Sequence, residues 1–130
     1  MYKIEKVDYG FKLTFGDVIK PEEMLNWVNE SKKVLLGASH SFGVLVDMRT
    51  LKPLSAEAQN YMHDGQKLYK QKGLTRSAVI LANSVLKIQF KRLAQESGIY
   101  QWERYFDATA DKNWESASVA WLKTGKDPDK

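Results

Sequence analysis

Apolar and polar residues alternate through "YKIEKVDYGFKLTFGD" on both sides of Asp8-Tyr9-Gly10, the period-two pattern of two strands around a tight turn. The period then changes. In "IKPEEMLNWVNESKKVLLG", Met24, Trp27, Val28, Ser31, Val34 and Leu35 fall on one helical stripe, with Pro21 at its opening and Gly37 at its close. "FGVLVDM" does not alternate and predicts a strand buried on both faces. From Ser55, the residues Ala58, Tyr61, Met62, Gly65, Leu68 and Tyr69 recur at helical spacing until Gly73. "LTRSAVILA" is a second dry strand, and "NSVLKIQFKRLAQESG" a helix capped by Asn83 or Ser84 with Leu86, Phe90, Leu93 and Ala94 inward. "YQWERYFDA" reads as a shorter strand. A last helix is expected from about Asp111, burying Trp114, Ala117, Ser118 and Trp121, before the polar tail "KTGKDPDK", expected to fray.

The predicted order is β-β-α-β-α-β-α-β-α. Each strand–helix–strand step calls for parallel neighbours, and the opening hairpin adds an antiparallel pair. The expected fold is therefore a single α/β domain over residues 1–124, with a mixed, mainly parallel five-stranded sheet and about four helices, followed by a tail over 125–130. A chain of 130 residues has room for one core. It carries no cysteine, which removes disulfides and thiolate chemistry and suits a reducing compartment. "MYKIEKVDYG" lacks the apolar centre of a signal peptide, and no apolar run approaches a membrane span. A cytoplasmic location is the expectation.

The element order, with "VLVDMR", the Ser-opened helix, "AVILANSVLKIQFKRLAQESG" and the closing "RYFDATADKNWESASVAWL", resembles the STAS-type anti-sigma-factor-antagonist domains. It is closer to their SpoIIAA-like relatives, often grouped with the lipid-binding Sec14 fold. The resemblance spans Tyr2 to Leu122 and implies a non-enzymatic regulatory or protein-interaction domain without cofactor. The partner would be another protein or a second copy of the chain. The alternative it implies is a carrier of a small apolar ligand or lipid.

Antagonist STAS domains carry an Asp-Ser-Ser-Gly-like sequence after the third strand, whose serine is phosphorylated. In the matching "KPLSAEA", Ser55 takes that place, but Leu54 replaces the acid and Ala56 or Glu57 the glycine. Glu57 would repel a phosphate at the same helix start. The favoured reading is that Ser55 is an N-cap contributing ~1 kcal/mol. Phosphorylation is the alternative.

Asp47, Arg49 and Thr50 follow one dry strand and Asn83 and Ser84 the other, at the carboxyl sheet edge where α/β folds usually bind ligands. They are candidate ligand or partner loops; helix and loop capping is the plainer role for Asp47 and Asn83. His40 stands among serines, and His63 precedes Asp64 on a helix with no nucleophile elbow in the chain. Neither predicts catalysis, and no spacing suits a metal.

Net charge is +4, which permits anionic partners without requiring them. Its distribution is uneven. No acid lies between Asp64 and Glu96, where Lys67, Lys70, Lys72, Arg76, Lys87, Lys91 and Arg92 stand. A basic surface of Lys67, Lys70, Lys87, Lys91 and Arg92 would allow at most peripheral contact with an anionic membrane. Aromatic residues do not interleave with these cations, so nucleic acid is not an expected partner. Trp102 shares a predicted strand face with Tyr100 and Arg104, and an exposed aromatic row there would favour self-association.

Overall fold

The computed structural model describes all 130 residues. The two apolar runs lie in the sheet interior. Phe42–Leu51 is β3, the middle strand, and Leu74–Leu81 is β4 beside it. Around them stand β1 (Tyr2–Val7), β2 (Gly10–Asp17) and β5 (Glu103–Asp107), in the order β1-β2-β3-β4-β5. The hairpin pair is antiparallel and the other three pairings are parallel. The predicted α/β class, the mixed sheet and the element order are thus what the chain adopts.

Helices α1 (Pro21–Val34), α2 (Ala56–Lys72) and α3 (Ser84–Ser97) cover one face. Their inward stripes meet Phe11, Leu13, Phe15, Val44, Val46, Met48, Val79 and Leu81 in a core of 23 buried residues. Helix α4 (Trp114–Thr124) covers part of the other face, where Leu45, Ala78, Ile80, Phe106, Trp121 and Leu122 form a smaller cluster. Alternation along each strand sends successive side chains to opposite faces, so both faces of β3 and β4 must be apolar.

Two glycines are fixed by close approach. Gly10, at φ +145°, returns the chain from the hairpin turn, and a Cβ there would overlap the Gly43 carbonyl oxygen. Gly65 lets α2 settle against α1, since a Cβ would intrude on the Trp27 ring. Trp27 in turn stacks on Tyr69 at 5.6 Å between ring centroids. Tyr69 and Ser31 share a buried hydroxyl hydrogen bond of 2.8 Å.

Four expectations need correction. Tyr100–Trp102 is a 3-10 turn, not strand, because pairing with β4 starts only at Ser77 opposite Glu103. Trp102 N–H bonds back to the Ile99 carbonyl, and its ring turns beneath Lys70 of α2. Helix α4 opens at Trp114 rather than Asp111, since the Asp111 carboxylate accepts from Asn113 N–H in an Asx turn. Trp114 and Ala117 are consequently only half-buried. The tail is anchored: Arg104 Nε and Nη2 each donate to Asp127 at 2.9 Å.

Candidate functional site

Strand β3 extends four residues past Asp47, so Asp47 and Arg49 lie within the strand and not at its end. Pairing with β4 stops at Asp47 opposite Ile80, while β2 accompanies β3 to Leu51. The Asp47 carboxylate accepts from Arg49 N–H at 3.1 Å, Nε at 3.0 Å and Nη2 at 2.9 Å. Burial pushes this carboxyl up, but the bonds and charge of Arg49 outweigh it and hold the group below its usual range. Arg49 also covers the Trp114 ring, with Cζ 4.7 Å from the centroid. The two side chains are therefore engaged with each other, and Arg49 also with α4. Thr50 is exposed beside them.

The sheet's carboxyl edge is built from three other pieces. Ser55 caps α2, its hydroxyl accepting from Ala58 N–H at 3.2 Å. Asn83 caps α3, accepting from Val85 and Leu86 N–H at 2.9 and 3.1 Å, with Ser84 as the first helical residue. Between them the chain 52–55 is fastened by amides. Leu54 N–H donates to Gln89 Oε1 at 3.0 Å, and the Leu54 carbonyl accepts from Gln89 Nε2 at 3.2 Å and Gln59 Nε2 at 3.0 Å. Arg92 reaches Gln59 and pairs with Glu96. Loop 52–55, the start of α2 and the face of α3 thus form one connected surface. On it stand Val85, 51% exposed, and Ile88, 70% exposed. Val85, Ile88 and Arg92 share a helix face by their spacing of three and seven.

Of the predicted basic surface, Lys67 and Lys70 lie on α2, and Lys87, Lys91 and Arg92 on α3. Lys70 Nζ lies 4.1 Å from the Trp102 ring centroid and Lys91 Nζ 5.6 Å from that of Tyr105, while the aromatic residues within the basic stretch, Tyr69 and Phe90, are buried. Arg76 donates to the Trp121 and Leu122 carbonyls near the end of α4. Lys87 lines a surface cleft of about 350 Å³ with Asn83, Ser84 and Asp107. Lys67 is exposed on α2. His63 Nδ1 and Asp64 stand 3.8 Å apart, beyond hydrogen-bond length.

Sequence reasoning passed over Glu103. Its side chain enters the core between the sheet and the helices, 3% exposed. Burial pushes its carboxyl up to about 7, with the Tyr105 phenol and Ser77 hydroxyl moderating the rise. The Tyr105 hydroxyl donates to Glu103 Oε1 at 2.8 Å. Glu103 lines a cavity of about 30 Å³ with Trp27, Gln66, Tyr69, Ser77 and Phe90 among others. That is room for about one water, well below the roughly 300–1,000 Å³ of ligand pockets. The Trp27 Nε1–H is buried there and meets no acceptor in hydrogen-bond geometry. It lies close enough to Tyr69 to moderate the rise of that phenol, which burial pushes up to about 12.

No helix is long and apolar enough to cross a membrane. Comparison with models of protein families, with curated proteins and with solved structures found no match.

Proposed function

We propose that this chain is a non-enzymatic regulatory domain of the cytoplasm that works by binding another protein, in the manner of the SpoIIAA-like and STAS domains it resembles. The observation that carries the reading is the amide-braced surface at the carboxyl sheet edge. Val85 and Ile88 are left bare there, beside loop 52–55 and flanked by Arg92. Two aliphatic side chains exposed side by side on one helix face, with an arginine beside them, make an apolar patch with a polar rim of the kind that protein contacts use. Ser55 supports the surface as a helix cap, since its hydroxyl is already occupied by Ala58 N–H.

The carrier alternative is the weaker reading, because the cavity between sheet and helices has space for little more than a water molecule. A double variant Val85→Asp/Ile88→Asp tests the proposal. Affinity capture with the wild-type chain from its own cells should retain a defined protein, and the variant should lose it at least tenfold while keeping its circular dichroism and melting temperature. A native mass spectrum with a stoichiometric small molecule, and capture that the variant leaves unchanged, would favour the carrier instead.

A further inference from the structure

The two sheet edges are finished differently. At β5, Arg104 Nη1 donates to the Gln101 and Glu103 carbonyls at 3.0 and 2.9 Å, so a guanidinium occupies the start of that edge. At β1 the strand has one neighbour, β2, and its outer side is open.

The register tells which backbone groups are free. Met1 and Gly16 exchange both hydrogen bonds, N–H to carbonyl, at 2.9 Å each. Antiparallel pairs alternate between bonded and non-bonded, so Lys3, Glu5 and Val7 also turn their backbone groups to β2. Tyr2, Ile4 and Lys6 therefore turn theirs outward. Tyr2 and Ile4 send their side chains to the α1 face, where they pack against the larger core. Lys3 and Glu5 project from the opposite face and contact each other at 3.3 Å.

We propose that β1 pairs antiparallel with β1 of a second copy of this chain, joining two sheets into one of ten strands, with the two-fold axis through Ile4. In this register Ile4 faces Ile4, and Tyr2 faces Lys6 of the other copy, all through outward backbone groups. Lys3 then stands opposite Glu5 of the other copy, twice, in the closer non-bonded positions. The neighbouring registers are disfavoured by charge. A slide of two residues one way sets Lys3 against Lys3, and the other way sets Glu5 against Glu5. A slide of one residue pairs outward with inward backbone groups and breaks the ladder. The axis at Ile4 also brings Lys6, exposed and without an ion pair in its own chain, beside Tyr2 of the other copy. The Tyr2 hydroxyl there donates to Glu30 at 3.2 Å, so Lys6 meets an acid across the interface. This surface is separate from Val85 and Ile88, and the inference does not depend on the proposed partner.

The test is a charge exchange followed by sedimentation velocity on the full chain at high micromolar concentration. The wild type is expected to sediment as a dimer. Lys3→Glu sets like charges opposite one another at both ends and should weaken the dimer about tenfold or more. Lys3→Glu/Glu5→Lys exchanges the signs and should recover it to within a few-fold. Ile4→Pro removes an outward N–H without touching the β2 ladder and should give monomer with unchanged circular dichroism. A wild type that stays monomeric, a dimer insensitive to Lys3→Glu, or a folded double variant that fails to recover association would each overturn the proposal.

Discussion

The two faces of the sheet solve the problem of covering apolar strands in different ways. Under α1, α2 and α3, aromatic and aliphatic side chains seal the surface, and the polar groups admitted are paired or neutral. Ser31 bonds Tyr69, Gln66 accepts from Ser97 at 2.8 Å, and the Glu103 carboxyl is pushed up by burial. The opposite face has only α4, eleven residues long. There the tryptophans are roofed by cations: Arg49 over Trp114 at 4.7 Å, and Arg104 and Arg76 over Trp121 at 4.4 and 5.6 Å. One face excludes water chiefly by area, while the other lays guanidinium groups over its indole rings.

If that contrast is right, the heaviest damage comes from the helix-rich face. Phe90 is fully buried among strand and helix residues of the larger core. Phe90→Ala should cost about 4 kcal/mol, the range for emptying a packed aromatic site. Urea unfolding, with an unchanged denaturant slope, checks it; a loss under about 1 kcal/mol would mean that the core is loosely packed there.

The next effect is a pH dependence from the same face. The Glu103 carboxyl rises from 4.5 to about 7 on folding. Between those values the folded chain keeps a proton that the unfolded chain has released, so stability falls as pH rises and levels off above about 7. The span corresponds to about 3 kcal/mol at 1.36 kcal/mol per unit. Glu103→Gln keeps the shape and the acceptor for Tyr105 but cannot titrate. It should match the wild type near pH 4.5 and exceed it above pH 7. An unfolding free energy that varies with pH equally in both proteins would show that Glu103 titrates in the fold as it does in the unfolded chain.

The same contrast explains what the sequence made legible. The dry strands β3 and β4 stand out because both faces demand apolar residues, and Gly73 and Gly98 mark where α2 and α3 stop. "YQWERYFD" misled because its alternation continues through Tyr100–Trp102, and only the point where β4 offers pairing ends the strand. Glu103 was passed over for a different reason: alternation sets it on the face of Tyr105, but a carboxylate in a strand is by default assigned to solvent, and here it is 3% exposed. The cap roles of Ser55 and Asn83 were readable because capping is local in sequence. The bonds from Gln89 to Leu54 span 35 residues, and nothing local announces them. Val85 and Ile88 did carry a signal, standing off the inward stripe of Leu86, Phe90 and Leu93.

The smallest effect belongs to the α4 face and has the opposite pH sign. The Asp47 carboxyl is held below its usual value by Arg49, whose own side chain is 46% exposed. Solvent screens such a pair, so Asp47→Asn should cost only about 1 kcal/mol near neutral pH. A depressed acid stabilises the fold above its unfolded pKa, 3.8, and that contribution fades as pH drops through the lower folded value. The cost of Asp47→Asn, measured by urea unfolding, should therefore be present at pH 6 and shrink below about pH 4. Glu103→Gln, by contrast, gains its advantage on the alkaline side. Were Asp47→Asn to cost as much in strong acid as at neutrality, its role would be packing against the sheet and not the charge it shares with Arg49. The two carboxylates, on opposite sides of one sheet, would then no longer report two different environments.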